Sequence, residues 1–252
     1  MKLTAQLKLL PSPEQTEALR RTLEQVNAAC TYLSARAWDT QTFRQVELHR
    51  LAYGEVRATF GLSAQVTVRC ISTVADAYKL DRKTQRTFRP TGSSAYDDRI
   101  LRWNLGGSSV SIWTLDGRQS IPFVCGERQR ALLTTRHGET DLAYVRGAFY
   151  LFATCDVDDP EPIDVDGALG VDLGVTNIAA DSDGTIHSGK GINNVRYRQR
   201  RLRGKLQREG THGARRRLRT LAGQERRYAA WVNHNLSKAI VATAERGFPR
   251  SG

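Results

Sequence analysis

The chain has 252 residues, of which 40% are hydrophobic, and it carries a formal net charge of +12. This composition predicts a folded protein with a buried core and excludes an intrinsically disordered chain. No apolar run approaches the ~20 residues needed to cross a bilayer, and the polar N-terminus does not resemble a signal peptide. We therefore expect a cytoplasmic protein with no membrane partner.

The positive charge is concentrated in one segment. Between Lys190 and Arg227 there are fourteen lysines and arginines and two acids, so that the rest of the chain is neutral. A local excess of this density is typical of surfaces that bind phosphate groups.

The four cysteines are spread along the chain at Cys30, Cys70, Cys125 and Cys155. They form no C-x-x-C pair and have no histidine at metal-ligand spacing, which predicts free buried thiols and no zinc site.

The first third of the chain predicts one strand followed by three helices. Apolar and polar residues alternate over residues 1–10, as in a half-buried strand. Ser12 and Gln15 then form a capping box at the start of a long amphipathic helix. Residues 41–60 and 64–80 predict two further helices with apolar stripes.

After about Pro90 the sequence changes to short β-prone runs separated by glycine turns. One of these predicted runs is ALLTTR, residues 131–136. The pattern predicts an antiparallel meander of hairpins. A segment rich in proline and aspartate, residues 158–167, is the best predicted domain boundary.

Beyond this connector, the stretches ALGVDLG, NIAADSDG and TIHSGK predict two or three short strands. Helical periodicity then returns over residues 193–209 and 214–247.

The stretch GALGVDLGVTNIAADSDG places one acid, Asp172, inside an apolar run that predicts a buried strand. Three interpretations are open. The carboxylate could be hydrogen-bonded for local structural reasons, although burying an unpaired carboxylate is costly. The hairpin resembles the first phosphate loop of sugar-kinase and actin-like ATPases. It also resembles the first strand of ribonuclease H-like nucleases, where an aspartate holds one of two Mg²⁺ ions. The basic helices that follow favour the nuclease-like interpretation.

Several stretches in order resemble the TnpB (OrfB) proteins of bacterial insertion sequences, relatives of the type V CRISPR effectors. The most specific are LGVDLGVTNIAADSDG and RRYAAWVNHNLSKAIVATAERG. The stretches LKLLPSPEQTEALRRTLE and FGLSAQVTVRCISTVADAYK are similar to the family's N-terminal strand and helices.

The resemblance implies an α+β multidomain protein. Residues 1–10 plus 91–160 would form an OB-like wedge barrel, and residues 11–90 a helical recognition domain inserted into it. Residues 165–252 would form a partial RuvC-like, ribonuclease H-type α/β domain. The implied activity is RNA-guided DNA cleavage associated with transposition. The implied partners are a guide RNA from the transposon end and a double-stranded DNA target.

By its place in the motif, Asp172 corresponds to the first catalytic carboxylate and to part of a Mg²⁺ site. Members of the family continue into a strand with a catalytic glutamate, a four-cysteine zinc ribbon and a final catalytic aspartate, none of which occurs in these 252 residues. We therefore expect a chain that is incomplete as a nuclease and does not cut DNA alone. The alternative is an RNA-guided DNA-binding protein without nuclease activity, acting as a repressor; an actin-like ATPase is the remote alternative.

The basic residues could form solvated helix faces, but the acids that would balance them at i±4 are almost absent. Contact with nucleic-acid phosphates is the better interpretation. The candidate residues are Arg196, Arg198, Arg200, Arg201, Arg203, Lys205, Arg208, Arg215, Arg216, Arg217 and Arg219, with Arg86 and Arg89 in a second basic segment, residues 81–90.

Overall fold

The computed structural model describes residues 1–159 and 167–247. The chain divides into two compact units, Met1–Asp159 and Pro160–Gly252. Most of the predicted connector lies outside the described residues, as do the last five residues of the predicted nuclease-like segment. No helix in the described ranges has the length and apolar character to cross a membrane.

The first unit combines seven strands with four helices. In chain order these are β1 (Lys2–Leu9), α1 (Pro13–Asp39), α2 (Gln45–Phe60), α3 (Ala64–Leu80), β2 (Ser94–Tyr96), β3 (Leu101–Asn104), β4 (Ser109–Thr114), β5 (Gly117–Val124), α4 (Glu127–Leu133), β6 (Arg136–Val145) and β7 (Ala148–Asp156).

The seven strands form one antiparallel, barrel-like sheet in the order β2-β6-β7-β1-β5-β4-β3. The alternation predicted for the first strand is confirmed, because Ala5, Leu7 and Leu9 are buried while Gln6 and Lys8 are exposed. The predicted α+β class is also confirmed. The finer assignment to an OB-like wedge with an inserted recognition domain stays a prediction.

The first helix begins where its capping box predicts. The Gln15 backbone N–H donates to the Ser12 hydroxyl (3.2 Å), and the Ser12 N–H donates to the Gln15 side-chain oxygen (3.1 Å). Two of the four groups that a helix N-terminus leaves unpaired are satisfied in this way. The buried face of α1 then contributes Leu19, Leu23 and Leu33 to the core.

The predicted thiols are free, with Cys30, Cys70 and Cys155 buried and Cys125 partly exposed.

The predicted strand over ALLTTR is wrong. Residues 131–133 belong to the short helix α4, and β6 begins only at Arg136. Local capping explains the difference, because the Gly126 N–H donates to Gln129 Oε1 (2.6 Å) and fixes a helical turn. Leu133 is buried as the apolar anchor of that turn.

The described part of the second unit, residues 167–247, holds three short strands and two long helices. These are β8 (Val171–Leu173), β9 (Asn177–Asp181), β10 (Ile186–Ser188), α5 (Lys190–Glu209) and α6 (His212–Gly247). The strands form an antiparallel sheet in the order β10-β9-β8. The predicted strands and helices are confirmed as elements, whereas their assignment to a RuvC-like fold stays a prediction.

Candidate nucleic-acid interface

Helices α5 and α6 form a hairpin joined by Gly210 and Thr211. Gly210 has a φ of +62°, a left-handed conformation that glycine adopts without strain, and its N–H donates to the Leu206 carbonyl (3.3 Å). Leu206 of α5 and Leu221 of α6 are buried. Because so few positions of α5 are apolar, most of its surface consists of basic side chains.

Two shallow cavities, of about 400 and 440 Å³, lie on this hairpin and share Leu202 as a lining residue. Among the residues that the structure describes, no carboxylate lines either cavity. We call the basic residues that line them the basic cleft: Arg198, Arg201, Lys205 and Arg208 on α5, and Arg216 and Arg217 on α6.

Helix geometry explains why the four α5 residues of the basic cleft lie together. Successive members of the set Arg198, Arg201, Lys205 and Arg208 are three, four and three residues apart. This spacing keeps all four side chains on one face of α5. Like charges at this spacing destabilise a helix by about 0.2–0.5 kcal/mol per pair. A polyanion bound in the cleft would remove this repulsion, and the arginine side chains offer planar forks that match phosphate oxygens.

Thr220 and Gln224 also line the α6 side of the cleft, and the sequence analysis missed them. Both are neutral, so a search for charge does not find them. Their spacing of four and eight residues from Arg216 places them on its face of the helix, and this periodicity could have found them.

The structure leaves four other predicted arginines outside the cleft. They are exposed on the two helices but line neither cavity: Arg196, Arg200, Arg215 and Arg219.

Arg203 is a predicted phosphate contact that already has an ion-pair partner in the protein. Its guanidinium forms an ion pair with Glu225 of α6, and the Arg203 side chain is 43% exposed. The pair links the two helices, so Arg203 supports the hairpin.

The two predicted contacts in the first unit differ from each other. Arg86 pairs with the Asp81 carboxylate (2.9 Å) and donates to the Asp81 carbonyl (3.1 Å). It therefore serves the local turn, whereas Arg89 is exposed.

Asp172 lies on a strand as predicted, but the prediction that it is buried is wrong. All three residues of β8 are exposed, and Leu173 is 72% exposed. The physical reason is position, since β8 is an edge strand of a sheet that has three strands among the described residues. An apolar run predicts burial only where another layer covers it.

The described residues do not fit the Mg²⁺ site that the resemblance implies. In the described ranges, no three histidine, cysteine, aspartate or glutamate side chains lie close enough to hold a metal ion together. Asp181, the nearest acid across the hairpin, accepts a hydrogen bond from the Thr185 N–H (2.7 Å) and closes the turn. A Mg²⁺ ion needs nearly octahedral oxygen ligands, which Asp172 alone does not supply.

Some solved structures resemble this chain weakly. No family model matches the sequence, and no curated protein matches it either. A CRISPR-Cas12f ternary complex is similar at 12% identity and a TM-score of 0.37, covering 86% of this chain and 59% of that one. A Cas12f1–sgRNA–target DNA complex is similar at 10% identity and a TM-score of 0.31, covering 98% and 71%.

This chain thus spans 59% of the length of the first of these structures. Both TM-scores are too low to establish a shared fold. The family is therefore proposed from the residues of this chain.

Proposed function

We propose that this chain is a TnpB-type protein that binds a guide RNA and its DNA target, and that the described residues hold nucleic acid without cutting it. The observation that carries the proposal is the basic cleft, in which six cationic side chains line two adjoining cavities and none of the described lining residues is a carboxylate. The in-order resemblance of the sequence to the TnpB proteins supports the choice of RNA and DNA as the polyanions.

The cleft would bind the phosphate backbone and would not read bases. Arginine and lysine contacts to phosphate position a nucleic acid without carrying sequence information. In RNA-guided recognition the sequence is read by base pairing with the guide, so such contacts are sufficient for the protein.

A DNA-binding protein without nuclease activity is the second candidate. Asp172 is exposed, and Asp181 accepts a hydrogen bond within its own turn. This arrangement favours the binding protein over a cleaving enzyme. The cleft has the same role under both candidates. They differ in the family's activity: the first is a nuclease family whose cutting residues are not complete here, and the second is a protein that acts by binding alone.

The test is binding of the purified chain to transposon-end RNA, measured by filter retention between about 50 and 200 mM salt. The double variant Arg201→Gln/Lys205→Gln removes two charges from the cleft. The matched control is Arg50→Gln/Arg57→Gln, which removes two exposed charges from α2. The plot of log K against log salt has a negative slope, and each phosphate contact to a single strand contributes about 0.7 to its magnitude. We expect the cleft variant alone to have a slope that is shallower by about 1.4.

Equal slopes in the cleft variant and the control would contradict the proposed site. Equal affinity for the RNA and for heparin would contradict the proposed guide RNA and leave a general polyanion binder.

A further inference from the structure

The outer face of the barrel-like sheet carries a row of side chains across three strands. Lys8 of β1 lies directly opposite Val124 of β5 on one side and opposite Tyr150 of β7 on the other. Two positions earlier on β1, Gln6 lies opposite Phe152. Residues opposite each other in an antiparallel pair share a face, so these five side chains lie together on the side away from the core.

A cavity of about 530 Å³ opens at this row. All of its lining residues belong to the first unit, and none of them belongs to the basic cleft. Its lining residues are Gln6, Lys8, Leu10, Val124, Cys125, Gly126, Gln129 and Tyr150. It is a shallow cavity open to solvent, with a volume within the range of about 300–1,000 Å³ of small-ligand sites.

The lining combines one cation with hydrogen-bonding amides and an apolar floor. In the described part of the chain, Lys8 has no ion-pair partner and no carboxylate lines the cavity. Gln129 accepts the Gly126 N–H through Oε1, which leaves its amide NH₂ group to donate. The core lies on the opposite face of the sheet. Leu10 and Val124 are accordingly 49% and 55% exposed and give this face an apolar surface.

These features complement one chemical group in particular. An unpaired nucleobase has an apolar face that stacks on aromatic rings and an edge that hydrogen-bonds to amides. Its phosphate would meet the Lys8 ammonium. A polypeptide partner of acidic character would match Lys8 but would leave the two amides and the tyrosine ring without a specific role.

We propose that this cavity binds one unpaired nucleotide of a single-stranded RNA segment, with the base stacked on Tyr150 and its phosphate against Lys8. The proposal rests on the proposed function, because it assigns part of the bound RNA to a second site. It adds a base-dependent contact, whereas the basic cleft contacts only the backbone.

The experiment uses the full chain and two short single-stranded RNA oligomers. One carries a single central 2-aminopurine, and the other is abasic at that position. The affinity for the abasic oligomer measures backbone binding, and the ratio of the two affinities measures the base site. We expect wild type to prefer the base-containing oligomer about tenfold, with quenching of the 2-aminopurine fluorescence, since base stacking of this kind is worth roughly that factor.

Tyr150→Ala is expected to abolish the preference and the quenching while leaving the affinity for the abasic oligomer unchanged. Tyr150→Phe keeps the stacking surface and should retain both. Thr154→Ala is the matched control, because Thr154 lies on the same strand face but does not line the cavity.

Salt-dependent binding with no preference between the two oligomers would overturn the base site and leave the proposed function standing. Binding to neither oligomer would overturn both. A preference that survives Tyr150→Ala would place the base elsewhere and overturn this assignment.

Discussion

Asp172 and Asp181 lie on opposite faces of the three-stranded sheet. Asp172 is paired with Ala180 across β8 and β9, and Asp181 is paired with Val171. Consecutive strand residues point to opposite sides, so Ala180 shares the face of Asp172 and the Asp181 side chain points to the other face. The two acids therefore cannot hold one metal ion between them without a change of register.

Substituting Asp172→Ala should leave nucleic-acid binding unchanged, since Asp172 is not among the residues that line the basic cleft. We also expect no Mg²⁺-dependent cleavage of a plasmid by either wild type or the variant. The control is Asp183→Ala, which removes an exposed acid from the neighbouring turn. A Mg²⁺-dependent nick that is lost in Asp172→Ala and kept in Asp183→Ala would show that Asp172 is catalytic.

Substituting Glu225→Gln should strengthen RNA binding, because it removes a negative charge and also frees Arg203 for phosphate. The slope of log K against log salt should become steeper by about 0.7, the contribution of one additional contact to a single strand. The hairpin should lose less than about 1 kcal/mol, as is usual for a partly exposed ion pair.

Glu209→Gln is the matched control for this substitution. Glu209 is an exposed acid of the same basic segment, and it has no ion-pair partner among the described residues. If both variants steepened the salt dependence equally, the Arg203–Glu225 pair would have no specific effect on binding.

The sequence predicted the features that depend on neighbouring residues. The capping box of Ser12 and Gln15 requires only two residues three positions apart, and it forms as expected. The alternation of β1 and the apolar stripe of α1 follow in the same way from local periodicity. The position of Gln129, three residues after Gly126, is also a local signal for a helix start. The apolar residues that follow it fit a strand as well as a helix.

The features that escaped prediction depend on contacts between distant segments. Whether Asp172 is buried depends on what covers β8, and no pattern within the run determines that. The excess of arginine was evident, but the pairing of Arg203 with Glu225 joins residues 22 positions apart on different helices. The cavity beside Lys8 requires the registers of β1 with β5 and β7, which bring residues near position 8 next to residues near 124 and 150.

Substituting Tyr78→Phe should destabilise the first unit by about 1–3 kcal/mol, the usual cost of leaving buried polar groups without a partner. Tyr78 is fully buried, and its hydroxyl pairs with the Ser34 hydroxyl (2.8 Å) and accepts the Arg86 N–H (3.3 Å). Urea unfolding measures the change in the free energy of unfolding.

Tyr53→Phe is the control for the loss of a hydroxyl. Tyr53 is only half-buried, and its hydroxyl has no hydrogen-bond partner among the described residues, so we expect a change below about 0.5 kcal/mol. Similar effects in the two variants would mean that the Tyr78 hydroxyl network is not what stabilises the segment around Arg86.

The turn after α3 should lose stability in acid through Asp81. Hydrogen bonds from the Lys83 N–H (2.8 Å) and the Thr84 hydroxyl (3.1 Å), with the Arg86 guanidinium nearby, lower the pKa of Asp81 below its ordinary value of 3.8. A carboxylate with a lowered pKa stabilises the folded state above pH 3.8, and this contribution is lost as the pH falls through the folded-state value. Asp81→Asn should therefore flatten the decline of stability at low pH.

Carbon-13 NMR titration of the Asp81 carboxyl checks the cause directly, and a midpoint at or above the ordinary value would contradict it. Arg86→Gln should raise the midpoint only slightly, because the Lys83 backbone hydrogen bond is the largest influence on it.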